Sequence, residues 1–498
     1  MTSVILHLDM NSYFASVLQQ DNVEYRGKVL GVCEHLGGII ISASKEAKQW
    51  DIKTGTPVWE AKKIYPKIIL THTTAERFRF YTRRLVKLVS EYTDKVEVYS
   101  IDEVFLDITR VCNIQNSKSE IRPVFRSLGK GENPKQISNL KLENLKLNTG
   151  HWPLVTNPYQ EAVNIALEIK QRMKQAVGDY LTCSIGIAEN KVLAKIGSDL
   201  KKPDGIVVIM NNELGIRNYE LRQKNILFLN KQDLYHQLKL TDVPGIGERQ
   251  EKNLNALGIK TLLDLKTYPQ SHLLARFGRI GGYHLYNLGQ LNASWKSLVR
   301  QEQDLKSIGH MYTLPKEYRK PEFFEPVLFK LCEMVARRLR RKGLEGNVIN
   351  AFCYFRDHQS YGKSVKVGDY VSDGREIFRH AMEIFKTLNT SLAPSHSASS
   401  GHALAKKKER GSLRHPLFSK EGGGGVREFK MIGITVSHLR STTGQLSLFG
   451  HREENKGLLN ALDKINDKYG EFTVARTPIL ATGKVFRDSV GFGRVKEL

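Results

Sequence analysis

Asp9 closes the apolar run Val4-Ile5-Leu6-His7-Leu8, and Asp102 and Glu103 stand side by side at a break in the alternating segment Lys95 to Ile108. A carboxylate at the end of a buried strand and a carboxylate pair in a hairpin turn are the parts of an oxygen-only cation site. Nucleotidyl transfer uses such a site. Two divalent ions ~3.5–4 Å apart clamp the attacking and leaving oxygens, and magnesium takes hard oxygen ligands while keeping several waters. Spacing alone leaves a plainer alternative open, in which Asp9 is a strand-end cap and Asp102-Glu103 a solvated turn. A second string, Val243-Pro-Gly-Ile-Gly247, has the form of a helix–hairpin–helix turn. There, backbone N–H groups around Gly245 and Gly247 and a helix N-terminus meet a DNA phosphate without reading sequence. In isolation it reads equally as an ordinary turn.

The elements that must carry these residues follow from periodicity. Val4 to Leu8 reads as a buried strand and Asn11 to Gln20 as a helix with Phe14, Ala15 and Leu18 on one side. Arg77 to Tyr92 keeps helical spacing, and Val96 to Ile108 forms two strands joined at the Ser100–Glu103 break. A helix runs from Pro158 to about Val177, a strand spans Leu181 to Ile187, and a helix spans Asn190 to Leu200. This order predicts an α+β core, a small open sheet with helices on one face, into which 21–75 is inserted. Residues 236–295 read as helical, and 300–440 mixes strands (Val348 to Phe355, Phe429 to Leu439) with Arg-rich helix (Val335 to Lys342). Two stretches, 111–155 and 394–425, lose all period and are expected to be flexible insertions. A tail, 441–498, carries one helix, Lys456 to Tyr469.

Composition narrows the partner. The 498 residues carry a formal charge of +24, an excess that attracts a polyanion, most often nucleic acid. The five cysteines are odd in number and none is spaced as CxxC, against a disulfide framework or zinc site. No run of ~18 apolar residues predicts a membrane span, and the N-terminus lacks the pattern of a signal peptide. A cytoplasmic monomer away from membranes is expected.

Leu8-Asp9-Met10-Asn11-Ser12-Tyr13-Phe14-Ala15-Ser16-Val17 resembles the first motif of the Y-family (translesion) DNA polymerases. Tyr99-Ser-Ile-Asp102-Glu103-Val-Phe-Leu-Asp107 is similar to their second metal motif, and Ser184 to Lys191, through Ala194-Lys195, to Lys201-Lys202-Pro203-Asp204-Gly205 is similar to their third. Val243 to Gly247 matches the thumb hairpin, in family order. The resemblance is to bacterial members of the polymerase IV and UmuC type. It implies a right-hand fold: palm (1–20 and 76–235), fingers (21–75), helical thumb (236–295) and an α/β little finger (300–440). It also implies two Mg²⁺ ions on Asp9, Asp102 and Glu103, primer–template DNA and dNTP as substrates, and a role in lesion bypass. No exonuclease-like acid cluster stands out, so low fidelity is expected.

The same resemblance implies site roles. Phe14 falls at the steric gate that leaves no room for a ribose 2′-hydroxyl, beside Tyr13. Lys202 aligns with a lysine that reaches the triphosphate. Ser42, Lys45 and Lys48 lie where many members carry a tyrosine and, three residues on, an arginine; lysine lacks the aromatic face of one and the planar fork of the other. Arg337, Arg338, Arg340 and Arg341 would grip DNA. Gln445-Leu446-Ser447-Leu448-Phe449 resembles the peptide that holds the bacterial sliding clamp, with Leu448 and Phe449 filling a pocket and Gln445 at its rim. A catalytically silent DNA- and clamp-binding scaffold is the alternative. A palm-fold cyclase would leave the hairpin and basic domain unexplained, and a nuclease would need more clustered acids.

Overall fold

The computed structural model describes residues 3–33, 38–71, 75–114, 158–211, 219–221, 225–292, 305–314, 316–319, 323–356, 359–390, 428–442, 453–470 and 472–480. The proposed clamp peptide (Gln445, Leu446, Leu448, Phe449), the insertion 394–425 and most of 111–155 lie outside these residues; Thr109–Ile114, at the edge of the latter, is helix α5. The chain divides into two compact units, one within Met1–Gln301 and one within Glu302–Arg487.

The first unit is built on a seven-stranded sheet with order β5-β6-β1-β7-β8-β10-β9. Its strands are β1 (Ile5–Met10), β5 (Val96–Val98), β6 (Glu103–Asp107), β7 (Cys183–Ala188), β8 (Ile206–Met210), β9 (Tyr219–Leu221) and β10 (Ile226–Asn230). β1 lies between β6 and β7, antiparallel to both. Every residue of β1 is buried, because both faces are covered. One face carries Leu6, Leu8, Val104 and Ile185 into a core with α1 (Tyr13–Asp21), α4 (Ala75–Val89) and α6 (Pro158–Ala176). The other carries Ile5 and Phe105 against α7 (Lys191–Leu200). The expectation of helices on one face is therefore corrected. The reason is the close seat of α7: a Cβ on Gly186 would stand 1.8 Å from the Ala194 carbonyl oxygen, so only glycine lets this helix lie on β7.

The inserted segment forms its own three-stranded sheet, β3-β2-β4, from β2 (Leu30–Cys33), β3 (Ile40–Ala43) and β4 (Ile69–Thr71), with α2 (Lys45–Lys48) and α3 (Val58–Ile64). Ser44 caps α2, its Oγ accepting from Ala47 N–H at 3.1 Å. Short helices follow β10: α8 (Lys231–Gln237), α9 (Glu248–Asn255), α10 (Leu262–Thr267) and α11 (Gln270–Gly289). Their apolar residues, among them Val243, Ile246, Leu254 and Leu288, join the α7 core.

The second unit is a four-stranded antiparallel sheet, β11-β14-β12-β13, from β11 (Ser307–Thr313), β12 (Leu344–Phe355), β13 (Ser360–Val371) and β14 (Phe429–Ser441). Ile349, Ala351, Ile434 and Val436 pack its inner face on α12 (Phe324–Arg341) and α13 (Gly374–Thr390). Helices α14 (Glu453–Tyr469) and α15 (Thr477–Leu480), read from sequence as tail, fasten onto α12 through Asp463, Asp467 and Arg476.

Candidate active site

Cross-strand register assembles the acids. Asp9 sits directly opposite Glu103 across the β1–β6 ladder, so the two side chains share a face. Asp102 comes to them through the β5–β6 turn, whose Asp102 carbonyl accepts from Met10 N–H at 3.0 Å. The turn is held from both sides: Ser100 Oγ donates to Asp102 Oδ1 at 2.5 Å, and Thr82 Oγ1 on α4 donates to the Ile101 carbonyl at 2.6 Å.

Lysines ring the acids. Lys195 Nζ lies 2.5 Å from Glu103 Oε1, and Lys202 Nζ lies 2.9 Å from Asp9 Oδ2 and 2.6 Å from Asp199 Oδ1. Even so, burial lifts the Glu103 carboxyl to about 7, with Lys195 opposing and Asp9 and Asp102 adding to the rise. Burial also raises Asp102, against its Ser100 hydrogen bond and with the help of Asp9. These are carboxylates short of positive charge. Among the described residues no three His, Cys, Asp or Glu side chains close round one point as they stand; Asp9 and Glu103 each have an oxygen on a lysine. The all-oxygen donor set and the raised carboxyls fit a hard divalent ion, which would relieve the mutual repulsion.

Behind the acids stands His7, fully buried and on the same face of β1. Ser198 Oγ donates to the Lys195 carbonyl at 2.8 Å, so the His7 Nδ1–H donates to Ser198 Oγ at 2.7 Å. His7 Nε2 has no hydrogen-bond partner and lies 3.9 Å from Glu103 Oε2. Burial, then Lys195 and Lys202, hold the imidazole far below its ordinary range, hence neutral. Sequence reasoning gave no site role to His7, Lys195 (quoted only within the third motif), Ser198 or Thr82. The signal for the first three was available: His7 is two before Asp9 on a period-2 strand, and Lys191, Lys195 and Ser198 share one helical face.

The nucleotide-side residues divide. Lys48 lies within electrostatic range of the site: although its side chain is largely exposed, partial desolvation lowers its ammonium, Lys202 lowers it further, Asp9 opposes them and Lys45 adds to the fall. Cations that crowd in this way suit an anion between them. Phe14 is buried and packs edge-on against Phe78 with ring centroids 4.3 Å apart, so its ring is held by α4. Ser42 Oγ accepts from Ala15 N–H at 3.4 Å, tying the inserted sheet to α1. Tyr13, expected on the nucleotide side beside Phe14, spends its hydroxyl within the fold. It is buried, with its hydroxyl donating to the Phe78 carbonyl at 2.7 Å, so it braces α1 on α4 and has no hydroxyl to offer a nucleotide.

In the hairpin, Ile246 N–H donates to the Val243 carbonyl at 3.0 Å, Gly245 takes φ +105°, and Gly247 opens α9 as its cap. Gly245 and Gly247 are exposed. The arginine run is corrected. Arg337 is 4% exposed and donates to Asp467 at 2.6 Å. Arg340 grips Asp463 with two bonds of 2.7 and 2.9 Å, and Arg341 pairs with the same Asp467. Arg338 donates to the Gly309 carbonyl at 3.3 Å. Arg337, Arg340 and Arg341 brace α14 and Arg338 ties to β11, so the run does not form a solvated, phosphate-facing row.

Residues 8–199 match the impB/mucB/samB family model, residues 305–448 match the model of that family's C-terminal domain, and residues 241–290 match the thumb domain of DNA polymerase-iota. The DNA polymerase IV of Oceanobacillus iheyensis is 30% identical over 388 residues, 77% of each chain. The chain belongs to the Y-family of DNA polymerases. The DNA polymerase IV of Pelotomaculum thermopropionicum aligns over 98% of both chains at 26% identity. Among solved structures, a Y-family DNA polymerase chimera of Dbh and Dpo4 shares the fold, with a TM-score of 0.60 at 20% identity over 87% of this chain and 98% of that one. The family thus spans both units, and the acids, Phe14 and Lys195 fall within its first model. No helix among the described residues is long and apolar enough to cross a membrane.

Proposed function

We propose that this chain is a translesion DNA polymerase that extends a primer 3′ end on a template, with Asp9, Asp102 and Glu103 as its metal-holding carboxylates. The observation that carries the reading is the register of Asp9 opposite Glu103, with Asp102 delivered beside them. Two magnesium ions, when bound, would lower the pKa of the primer hydroxyl and neutralise the triphosphate. The chain's own residues do the rest. Lys202 exchanges Asp9 for a phosphate oxygen while Asp199 keeps its ammonium charged and close. Lys48 and Lys45, three apart on one helix face, meet the remaining phosphate charge. Phe14, pinned by Phe78, sits under the sugar and disfavours a 2′-hydroxyl. His7, anchored by Ser198, fills the space behind Glu103 and limits by packing how far that side chain can swing.

On the DNA side, Gly245 and Gly247 offer backbone N–H groups to a phosphate. In the second unit the outer face of the sheet, with Gly309, Thr435, Asn350, Ser364 and Lys366 along its register, is better suited to the duplex backbone than the arginines of α12. Gln445 to Phe449 would bind the sliding clamp. The test is primer extension with Mg²⁺ and four dNTPs, run beside Asp102→Ala and Glu103→Ala. Extension by the parent and a loss of at least ~100-fold in each variant are expected. Salt-dependent DNA binding without extension would instead favour a silent scaffold.

A further inference from the structure

The inserted sheet domain exposes two tryptophans that no part of the catalytic reading uses. Trp59 on α3 is 69% exposed and Trp50, just past α2, is 52% exposed. α3 buries Val58 and Ala61, so its outer face presents Trp59, Lys62 and Lys63, at spacings of three and four that share one side of a helix. Lys62 and Lys63 are exposed, and so is Lys67 beyond the helix; Glu60 is the acid on α3 and is only half-exposed. Trp50 is held at the other end of the same surface. Its ring lies 5.1 Å from that of Tyr65, and Tyr65 N–H donates to the Ala61 carbonyl at 2.9 Å to close α3. Nearby, Lys53 is already paired with Asp51 at 2.8 Å.

Free indoles beside ammonium groups suit a ligand with flat faces and a phosphate backbone. A protein partner's apolar knob would want a continuous apolar patch, whereas the helical neighbours of Trp59 are lysines. A duplex hides its base faces, so the ligand is single-stranded. We propose that Trp50, Tyr65, Trp59, Lys62 and Lys63 form a binding surface for single-stranded nucleic acid. Bases stack on the rings and phosphates meet the lysines. Resting on the polymerase reading, the strand it takes is the unpaired template.

The test measures binding of a dye-labelled 12-nucleotide oligothymidylate to the full chain, in the parent and in W50A/W59A, W59A, W59F and K62E/K63E. The aromatic-to-alanine pair is expected to weaken binding about tenfold or more, with W59F close to the parent. K62E/K63E is expected to weaken binding and flatten its salt dependence by roughly 1.4 in log–log slope, two phosphates' worth for a single strand. W59A covers the case in which loss of Trp50 loosens its packing on Tyr65. Unchanged affinity in W59A and K62E/K63E overturns the proposal. Primer extension is read in parallel. No extension by the parent, with tryptophan-dependent oligonucleotide binding intact, sinks the polymerase reading and leaves the surface standing. Extension with tryptophan-independent binding does the reverse.

Discussion

Glu103→Gln removes a charge that the folded chain holds unfavourably. Burial lifts this carboxyl from its ordinary 4.5 to about 7, and its side chain is only 15% exposed. At ~1.4 kcal/mol per pH unit, ionising it in the folded chain costs about 3 kcal/mol more than in the unfolded one. Between pH 4.5 and 7 the folded chain keeps a proton that the unfolded chain has released. Stability therefore falls as pH rises across that window, and the whole penalty is present above it. Glutamine has the shape of the neutral acid and carries no such penalty. At pH 8.5 without divalent cations, E103Q is expected to melt roughly 6–12 °C above the parent, at ~2–4 °C per kcal/mol for a domain of this size. Near pH 5 the gap should shrink to about 2–3 °C, since only about a quarter of the penalty has yet appeared. Millimolar MgCl₂ should raise the parent's midpoint at pH 8.5 and move that of E103Q less, while E103Q fails to extend a primer. Thermal melts of the full chain across pH, with and without MgCl₂, make the comparison. A gap that is absent at pH 8.5, or that does not change with pH, refutes the account of a carboxylate short of positive charge.

Asp463→Ala leaves the half-buried Arg340 guanidinium without its bidentate partner and should destabilise the second unit by about 3 kcal/mol, read by urea unfolding. Gly245→Ala forces a side chain into φ +105° with its Cβ 3.2 Å from His284 and Leu288; duplex affinity should fall, with one phosphate contact's worth of salt dependence lost. His7→Ala removes the imidazole behind Glu103 and should raise the MgCl₂ concentration for half-maximal extension about 10-fold or more, leaving the KM for dNTP near the parent's. A change confined to thermal stability would show His7 to be only a core residue.

The acids were legible because a strand has a period of two and a hairpin has one tip. Asp9 at the end of a mostly apolar strand and the Asp102-Glu103 pair at a break in alternation had few other places to go. Helix identity was legible for the same reason, from Asn190 to Leu200 above all. Which side of the sheet that helix covers was not, because it depends on the chain's path between strands rather than on spacing. Gly186 was the one local hint. The arginine run misled for a related reason: its partners Asp463 and Asp467 lie more than 120 residues away in sequence, and nothing in the spacing of arginines tells a solvated row from a braced one. The seat of the Tyr13 hydroxyl was not legible, because a motif assigns a position, while its partners at Phe78 and Thr82 come from a helix over 60 residues on.

The fastening of α14 and α15 onto α12 bears on how the Gln445 to Phe449 peptide can be studied. Those five residues fall between β14 and α14, two elements of one unit, so the chain is anchored on both sides of them. Shortening the chain before Gln445 would discard more than a recognition peptide. Arg337, Arg340 and Arg341 would lose Asp463 and Asp467, and Glu333 and Asp373 would lose Arg476. Any deficit in such a shortened chain would mix lost recognition with a frayed domain. Exchanging Leu448 and Phe449 for alanine in the intact chain separates the two.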